Sequence, residues 1–208
     1  MEMTKNEVKD LLKKYNYVDN VRVKLSDWCF LSTDDKLKRT YYDAFISMDG
    51  ILREYYNKLH AYAKSSPVGN WLLSIKGIDS RLASVLIAYL DVTNLNYAAQ
   101  VIRYCGLHND GHSNPNIACN LDIISRSFLE QKEEESLYKR LYTSKYKELS
   151  KNDIEETTVH IRANRYMLKV FISHIFEEMY REIHDGKAPP RHKDDEAVII
   201  EPEVPYTK

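Results

Sequence analysis

The chain has 208 residues, 43% of them hydrophobic, and its 30 Lys and Arg residues nearly balance its 31 Asp and Glu residues. This length and composition suffice for a folded domain with a core, and they exclude a chain that is disordered throughout. The net charge of -1 excludes a uniformly basic protein, so any nucleic-acid surface has to be a local patch.

Neither cysteine usage nor hydropathy points to a secreted or membrane protein. The three cysteines are unevenly spaced and do not form a disulfide framework. No apolar run is long enough to span a membrane, and the first residues do not form a signal peptide. We therefore expect a cytoplasmic protein with no membrane partner.

Residues 1–32 are predicted to form a helix followed by a short extended segment. Thr4 is a suitable N-cap, and the apolar residues after it recur at helical spacing, at Val8, Leu11, Leu12 and Tyr15. Residues 21–25, Val-Arg-Val-Lys-Leu, alternate between apolar and basic side chains as a brief strand does.

Residues 33–65 contain the most regular hydrophobic pattern and predict one long arm helix. Apolar side chains recur at spacings of three or four residues, which is typical of a coiled-coil seam, at Leu37, Tyr41, Phe45, Met48, Leu52, Tyr55, Leu59 and Tyr62. We expect this seam to join two copies of the chain in a homodimer. The alternative is that the arm folds back on its own domain.

Residues 66–90 predict two short helices joined by a tight turn. Ser66 is a suitable N-cap for a helix that Pro67 opens, and a second helix begins at about Ser80. In the turn, Gly77 supplies a positive φ angle. Backbone N–H groups at such a turn and at the start of the second helix can hold a phosphate. The predicted nucleic-acid-binding residues are Lys76, Gly77, Ile78, Ser80 and Arg81.

This unit resembles the helix-hairpin-helix family, whose hairpin reads hydrophobic-x-Gly-hydrophobic-Gly and is followed by Ala. Ile75, Gly77, Ile78 and Ala83 fit that pattern, whereas Asp79 stands in place of the second glycine and repels a phosphate. The alternative is that Asp79 merely caps the second helix and the hairpin only packs against protein.

Residues 91–107 extend the resemblance to the C-terminal domain of the bridge-RNA-guided insertion-sequence transposases. That domain continues from the hairpin through an Asp-x-x-x-Phe-type turn and a helix to a Tyr-Ala-Gly-Leu-like end. Here Leu95 stands near the Phe position, and the end reads Tyr104-Cys105-Gly106-Leu107. The resemblance spans residues 66–190, weakens after residue 107, and implies binding of DNA or RNA together with a coiled-coil segment that brings protomers together.

Two features of the family are altered or lacking in this sequence. The family has an RNase-H-type nuclease domain before the hairpin domain, but only 65 residues precede Ser66, so we expect no carboxylate nuclease activity. The family also has a serine nucleophile for strand exchange after its Gly-Leu pair. Ser113 lies one residue early, with His112 beside it as a candidate general base, and the neighbouring motif residues differ.

The same loop contains ligand types that suit tetrahedral zinc, namely Cys105, His108, His112 and Cys119. An ordinary polar turn and a buried small cysteine are the alternatives to the serine and zinc hypotheses. We expect no catalysis, no metal and no cofactor.

Residues 120–190 are predicted to form three further helices, and residues 191–208 are predicted to form an extended acidic tail. Tyr138, Tyr142 and Tyr146 recur at every fourth position among basic residues. Such a row suits stacking on nucleic-acid bases, or else the edge of a core.

The sequence thus predicts a mostly α fold, with a long coiled-coil-like arm helix followed by a helical domain that contains the helix-hairpin-helix. The preferred function is binding of DNA or structured RNA by a non-catalytic homodimer related to the transposase domain. One alternative is a residual serine-dependent strand-transfer enzyme, which requires Ser113. The other is a protein–protein interaction module, in which the hairpin is buried in protein.

Overall fold

A computed structural model describes residues 3–108 and 114–190. This part of the chain contains no strand, which confirms the predicted mostly α class. None of its helices combines the length and apolar character needed to cross a bilayer. The elements are α1 (Lys5–Leu31), α2 (Asp35–Lys64), α3 (Pro67–Ser74), α4 (Ser80–Tyr89), α5 (Ala98–Tyr104), α6 (Pro115–Leu129), a 3₁₀ turn (Glu133–Glu135), α7 (Leu137–Leu149) and α8 (Glu156–Ile183).

Helix α1 is continuous over 27 residues, so the predicted extended segment at residues 21–25 is wrong. A capping box starts the helix, because the Glu7 N–H donates to the Thr4 hydroxyl at 3.3 Å and the Thr4 N–H donates to the Glu7 carboxylate at 2.7 Å. Leu25 continues the buried stripe of Leu11 after about four helical turns. Packing of α1 on α2 therefore overrides the local alternation of five residues.

The hydrophobic seam of α2 faces α1. The Trp28 and Tyr41 rings lie 5.7 Å apart, and the Arg22 guanidinium lies 5.6 Å from the centre of the Phe45 ring. Leu52, further along the seam, is 5% exposed. Helices α1 and α2 thus form an antiparallel helical hairpin, in which α1 covers part of the seam within one chain. The homodimer stays a prediction.

The α3–α4 unit lies between this helical hairpin and the remaining helices. Helix α4 contacts α1 and α2 on one side and α6 on another. The main core includes three mutually contacting rings, Phe128, Tyr138 and Phe171, whose centroids are 4.6 to 5.2 Å apart. A smaller cluster, to which Val8, Leu59 and Val85 belong, joins the base of the arm to α4.

Gly69 and Gly50 form a matched pair that tests the packing at the base of the arm. A Cβ on Gly69 overlaps the Ala63 carbonyl oxygen, whereas a Cβ on Gly50 meets no atom within 4 Å. We expect Gly69→Ala to lower the free energy of unfolding by at least about 2 kcal/mol, because the backbone has to shift. Gly50→Ala should raise it by about 0.5–1 kcal/mol, because alanine is the better helix former. Urea unfolding measures both, and equal effects would contradict the close approach of α2 and α3.

Candidate nucleic-acid interface

Helices α3 and α4 are joined by a turn in which Gly77 has a φ of 96°. This left-handed conformation is readily adopted only by glycine. The Ser66 hydroxyl caps α3 by accepting the Gly69 N–H at 3.0 Å, and the Asp79 carboxylate caps α4 by accepting the Leu82 N–H at 2.7 Å. The chain therefore folds here as two short capped helices around a glycine turn.

Side chains at the end of α6 hold the carbonyl groups of this turn. The Gln131 amide donates to the Lys76 carbonyl at 2.6 Å, and the Ser127 hydroxyl donates to the Gly77 carbonyl at 3.0 Å. A Cβ on Gly77 would overlap both donors, so glycine is required for space as well as for its φ angle. Sequence reasoning missed Ser127 and Gln131, because they lie 50 and 55 residues further along the chain and follow no recognisable spacing.

The same anchoring sets the direction of the N–H groups. In a trans peptide the C=O and N–H bonds point in opposite directions, so binding of the Lys76 carbonyl by Gln131 turns the Gly77 N–H away from α6. Within residues 3–108 and 114–190, neither the Gly77 N–H nor the Arg81 N–H has a hydrogen-bond acceptor. Arg81 lies in the first turn of α4, where an α-helix leaves its N–H groups unpaired. Within the described residues the N–H groups of Lys76, Asp79 and Ser80 also have no acceptor, so the turn and the start of α4 offer several backbone donors, of which the Gly77 and Arg81 N–H groups are two.

The two predicted cations of the site already have partners within the protein. The Lys76 ammonium pairs with Glu135, and this hydrogen bond lowers the pKa of the Glu135 carboxyl. Their side chains are 61% and 41% exposed, so water or a phosphate can compete for the lysine. Arg81 donates to the Asn120 side-chain oxygen at 2.9 Å.

Charges of both signs surround the turn. Asp79 and the consecutive glutamates of the 3₁₀ turn oppose an anion, while Lys76, Arg81 and Lys132 attract one. Positive charge is therefore not in excess at this surface. Any anion held here depends mainly on the unpaired backbone N–H groups.

The side chains of Ile78 and Ser80 are both buried. Ile78 is 6% exposed and belongs to the main core. Ser80 is 2% exposed, and its hydroxyl lies 2.7 Å from Nδ1 of His60 on α2. The Ile78 N–H donates to the Ile75 carbonyl at 3.1 Å, so of these two residues only Ser80 has a backbone donor left for contact with nucleic acid.

The serine and zinc candidates are only partly within the described residues. Ser113 and His112 lie outside them. Cys105 is buried in the main core, and burial raises the pKa of its thiol to about 12, whereas Cys119 is exposed on α6. His108 is exposed, and within the described residues no three His, Cys, Asp or Glu side chains are grouped so that they could hold a metal.

The tyrosine row of α7 packs into the core instead of presenting a stacking face. Tyr138 is 4% exposed, burial raises the pKa of its phenol, and the hydroxyl lies 3.1 Å from Nδ1 of buried His174. Tyr142 is 8% exposed, and its hydroxyl is hydrogen-bonded to His160. These two rings are unavailable to bases.

A scan of the chain against protein-family models finds no matching family, and a search of curated proteins finds no similar sequence. The resemblance of residues 66–190 to the transposase domain therefore stays a hypothesis.

Thiol reactivity tests the environment of Cys105. At pH 8 an exposed thiol is partly ionised, whereas a pKa of about 12 leaves roughly one thiolate in ten thousand. In a Cys29→Ser background, which removes the half-buried third thiol, we expect iodoacetamide to modify Cys119 in the folded protein and to reach Cys105 only after unfolding. Adding Cys119→Ser identifies the fast site. Treatment with a chelator should leave both rates unchanged. Rapid labelling of Cys105, or a rate that rises with chelator, would contradict its place in the core.

Proposed function

We propose that this chain binds nucleic acid through residues 76–81, by holding one backbone phosphate on the N–H groups of Gly77 and Arg81. The observation that carries this proposal is the asymmetry of the turn. Ser127 in α6 and Gln131 just after it bind the carbonyl groups of the turn, while these two N–H groups have no acceptor within the described residues. Donors at a helix N-terminus, aligned with the positive end of the helix dipole, suit an anion.

A site of this kind holds a phosphate without reading a base, so DNA and structured RNA both fit it. The resemblance to the transposase C-terminal domain supports the proposal. The sequence further predicts a cytoplasmic, non-catalytic homodimer. The mixed charge around the turn favours a single contact over a long electrostatic footprint. We therefore expect weak affinity per chain.

Two alternatives differ in class. A protein-interaction module is favoured by the buried side chains of Ile78 and Ser80 and by the pairing of Lys76 with Glu135. A strand-transfer enzyme depends on Ser113 and His112, and no observation within the described residues favours it.

Charge substitutions at the turn separate phosphate binding from the interaction module. Asp79→Asn keeps a good N-cap and removes a charge beside the phosphate, so it should tighten binding about fivefold, since unit charges 4 Å apart interact by about 1 kcal/mol in water. Lys76→Ala should weaken binding and reduce the slope of log affinity against log salt by about one. Fluorescence anisotropy with one labelled duplex and one labelled RNA hairpin measures both changes.

The matched control is Asp43→Asn, which makes the same change of net charge at an exposed position on α2. It should leave the affinity near that of the wild type. Equal tightening by the two Asn variants would mean that net charge alone acts. Unchanged affinity in Asp79→Asn and in Lys76→Ala would contradict the assignment of this turn to nucleic acid.

Gln131 provides a test that does not alter charge. Gln131→Ala removes the donor that holds the Lys76 carbonyl, so the Gly77 N–H loses its fixed direction. We expect affinity to fall severalfold while the salt slope stays constant, because no cation is lost. Thermal unfolding shows whether the fold survives. A wild-type affinity in a folded Gln131→Ala protein would exclude the proposed role of the anchored carbonyl.

A further inference from the structure

The outer half of the arm lacks a core of its own. Between residues 16 and 50, only Leu25 is buried. The same stretch has eight large apolar side chains that are 46% to 87% exposed, Tyr17, Val23, Trp28, Phe30, Leu31, Leu37, Tyr42 and Ile46. Two packed helices have no third layer to cover these side chains, and helices in proteins gain most of their stability from such packing.

One side of this outer half contains an apolar groove between α1 and α2. The groove has a volume of about 480 Å³ and is lined by Ser26, Cys29, Phe30, Lys38, Tyr42 and Phe45. Phe30 stands at its rim with 87% of its surface exposed. Val23 lies seven residues before Phe30 and Ile46 four residues after Tyr42, so both extend the same apolar side. We call these four residues and the groove the arm face.

We propose that the arm face binds a second copy of this chain around a twofold axis, with Phe30 of each copy inserted into the groove of the other. A twofold interface requires a surface that is complementary to itself. The arm face meets this requirement, because it has a protruding ring and a groove of sufficient volume for a ring on the same side of the same hairpin. This surface lies beside the seam of α2 and shares only Phe45 with it, and the proposal rests on observations independent of the nucleic-acid proposal.

The exposed apolar area of the arm face is large enough for a stable dimer. The exposed parts of Val23, Phe30, Tyr42 and Ile46 amount to roughly 500 Å², since a free large side chain presents about 150–250 Å². Interfaces are about 60% apolar, so this area corresponds to a patch of roughly 800 Å² per partner, which is the standard size. A single exposed hydrophobic residue needs no explanation, but a contiguous set around a groove marks an interaction site.

Charge on the arm face also favours a second copy over a strongly charged partner. Asp27 lies three residues before Phe30 on the same side of α1, and Lys38 lines the groove on α2. Within the described residues neither side chain forms an ion pair. A twofold arrangement that seats Phe30 in the partner groove brings Asp27 of one copy toward Lys38 of the other, twice in each dimer.

Sedimentation velocity of the full chain from about 1 µM to about 200 µM tests the proposal, because interfaces of this size span micromolar to tighter affinities. We expect a reversible monomer–dimer equilibrium in the wild type. Phe30→Glu should shift the dissociation constant upward at least tenfold with unchanged helicity, because the side chain is already in water in the monomer. The matched control is Leu31→Glu, which adds the same charge one residue on, about 100° around α1, and should leave the dimer intact.

Charge reversal distinguishes a self-interface from a non-specific loss of association. Asp27→Lys and Lys38→Asp should each weaken the dimer severalfold, and the double variant should restore it, because opposite charges again face each other across the axis. A wild-type monomer at every concentration would overturn the proposal and leave the arm face to another protein. A dimer that survives Phe30→Glu, or one that is lost in Leu31→Glu alone, would overturn the assignment of the surface.

Discussion

The two hydrogen bonds from Gln131 and Ser127 to the carbonyl groups of Lys76 and Gly77 are the constraint on which the candidate site depends. They bind the turn to the end of α6 and leave no room for a side chain at residue 77. The bond from Gln131 also fixes the peptide plane between Lys76 and Gly77, and thereby the direction of the Gly77 N–H. Without them the turn would still be a glycine turn, but the Gly77 N–H would lose its fixed direction, while the Arg81 N–H would still be set by α4.

The proposed site and the arm face complement each other energetically. A single phosphate contact in a surface of mixed charge binds weakly, because few counterions are released. Two copies joined through their arms would present two such hairpins to one nucleic acid. The second contact would then form at a high effective concentration and raise the affinity without new charge. The near-neutral composition of the chain fits this arrangement better than it fits one strongly basic binding face.

Local signals predicted much of the fold. Features that depend only on neighbouring residues could be predicted. These are the N-caps at Thr4 and Ser66, the apolar repeat along α2 and the left-handed conformation of Gly77. The prediction of an extended segment at residues 21–25 was wrong, because packing along the whole of α1 stabilises a helix more than a five-residue alternation stabilises a strand. The seam of α2 identified a packing face correctly but could not say that α1 covers it, because the same pattern suits an intramolecular or an intermolecular partner.

The sequence predicted where the backbone of the candidate site lies, but not the side chains that contact it. Gly77 and the start of α4 stand out in the sequence. Ser127, Gln131 and Glu135 do not, because they lie 50, 55 and 59 residues along the chain from the turn residues that they contact. Burial of Ser80 against His60 depends likewise on how α2 packs on α4. Contacts over such separations are set by tertiary packing, and no spacing rule in one sequence reveals them.

An amide-resolved NMR titration of the full chain with a short DNA duplex, and then with an RNA hairpin, tests the central claim most directly. The account predicts that the N–H resonances of Gly77 and Arg81 shift with the largest amplitudes, because these groups donate to the phosphate. Binding that shifts amides of the arm or of α7 while the two hairpin amides stay unmoved would contradict it.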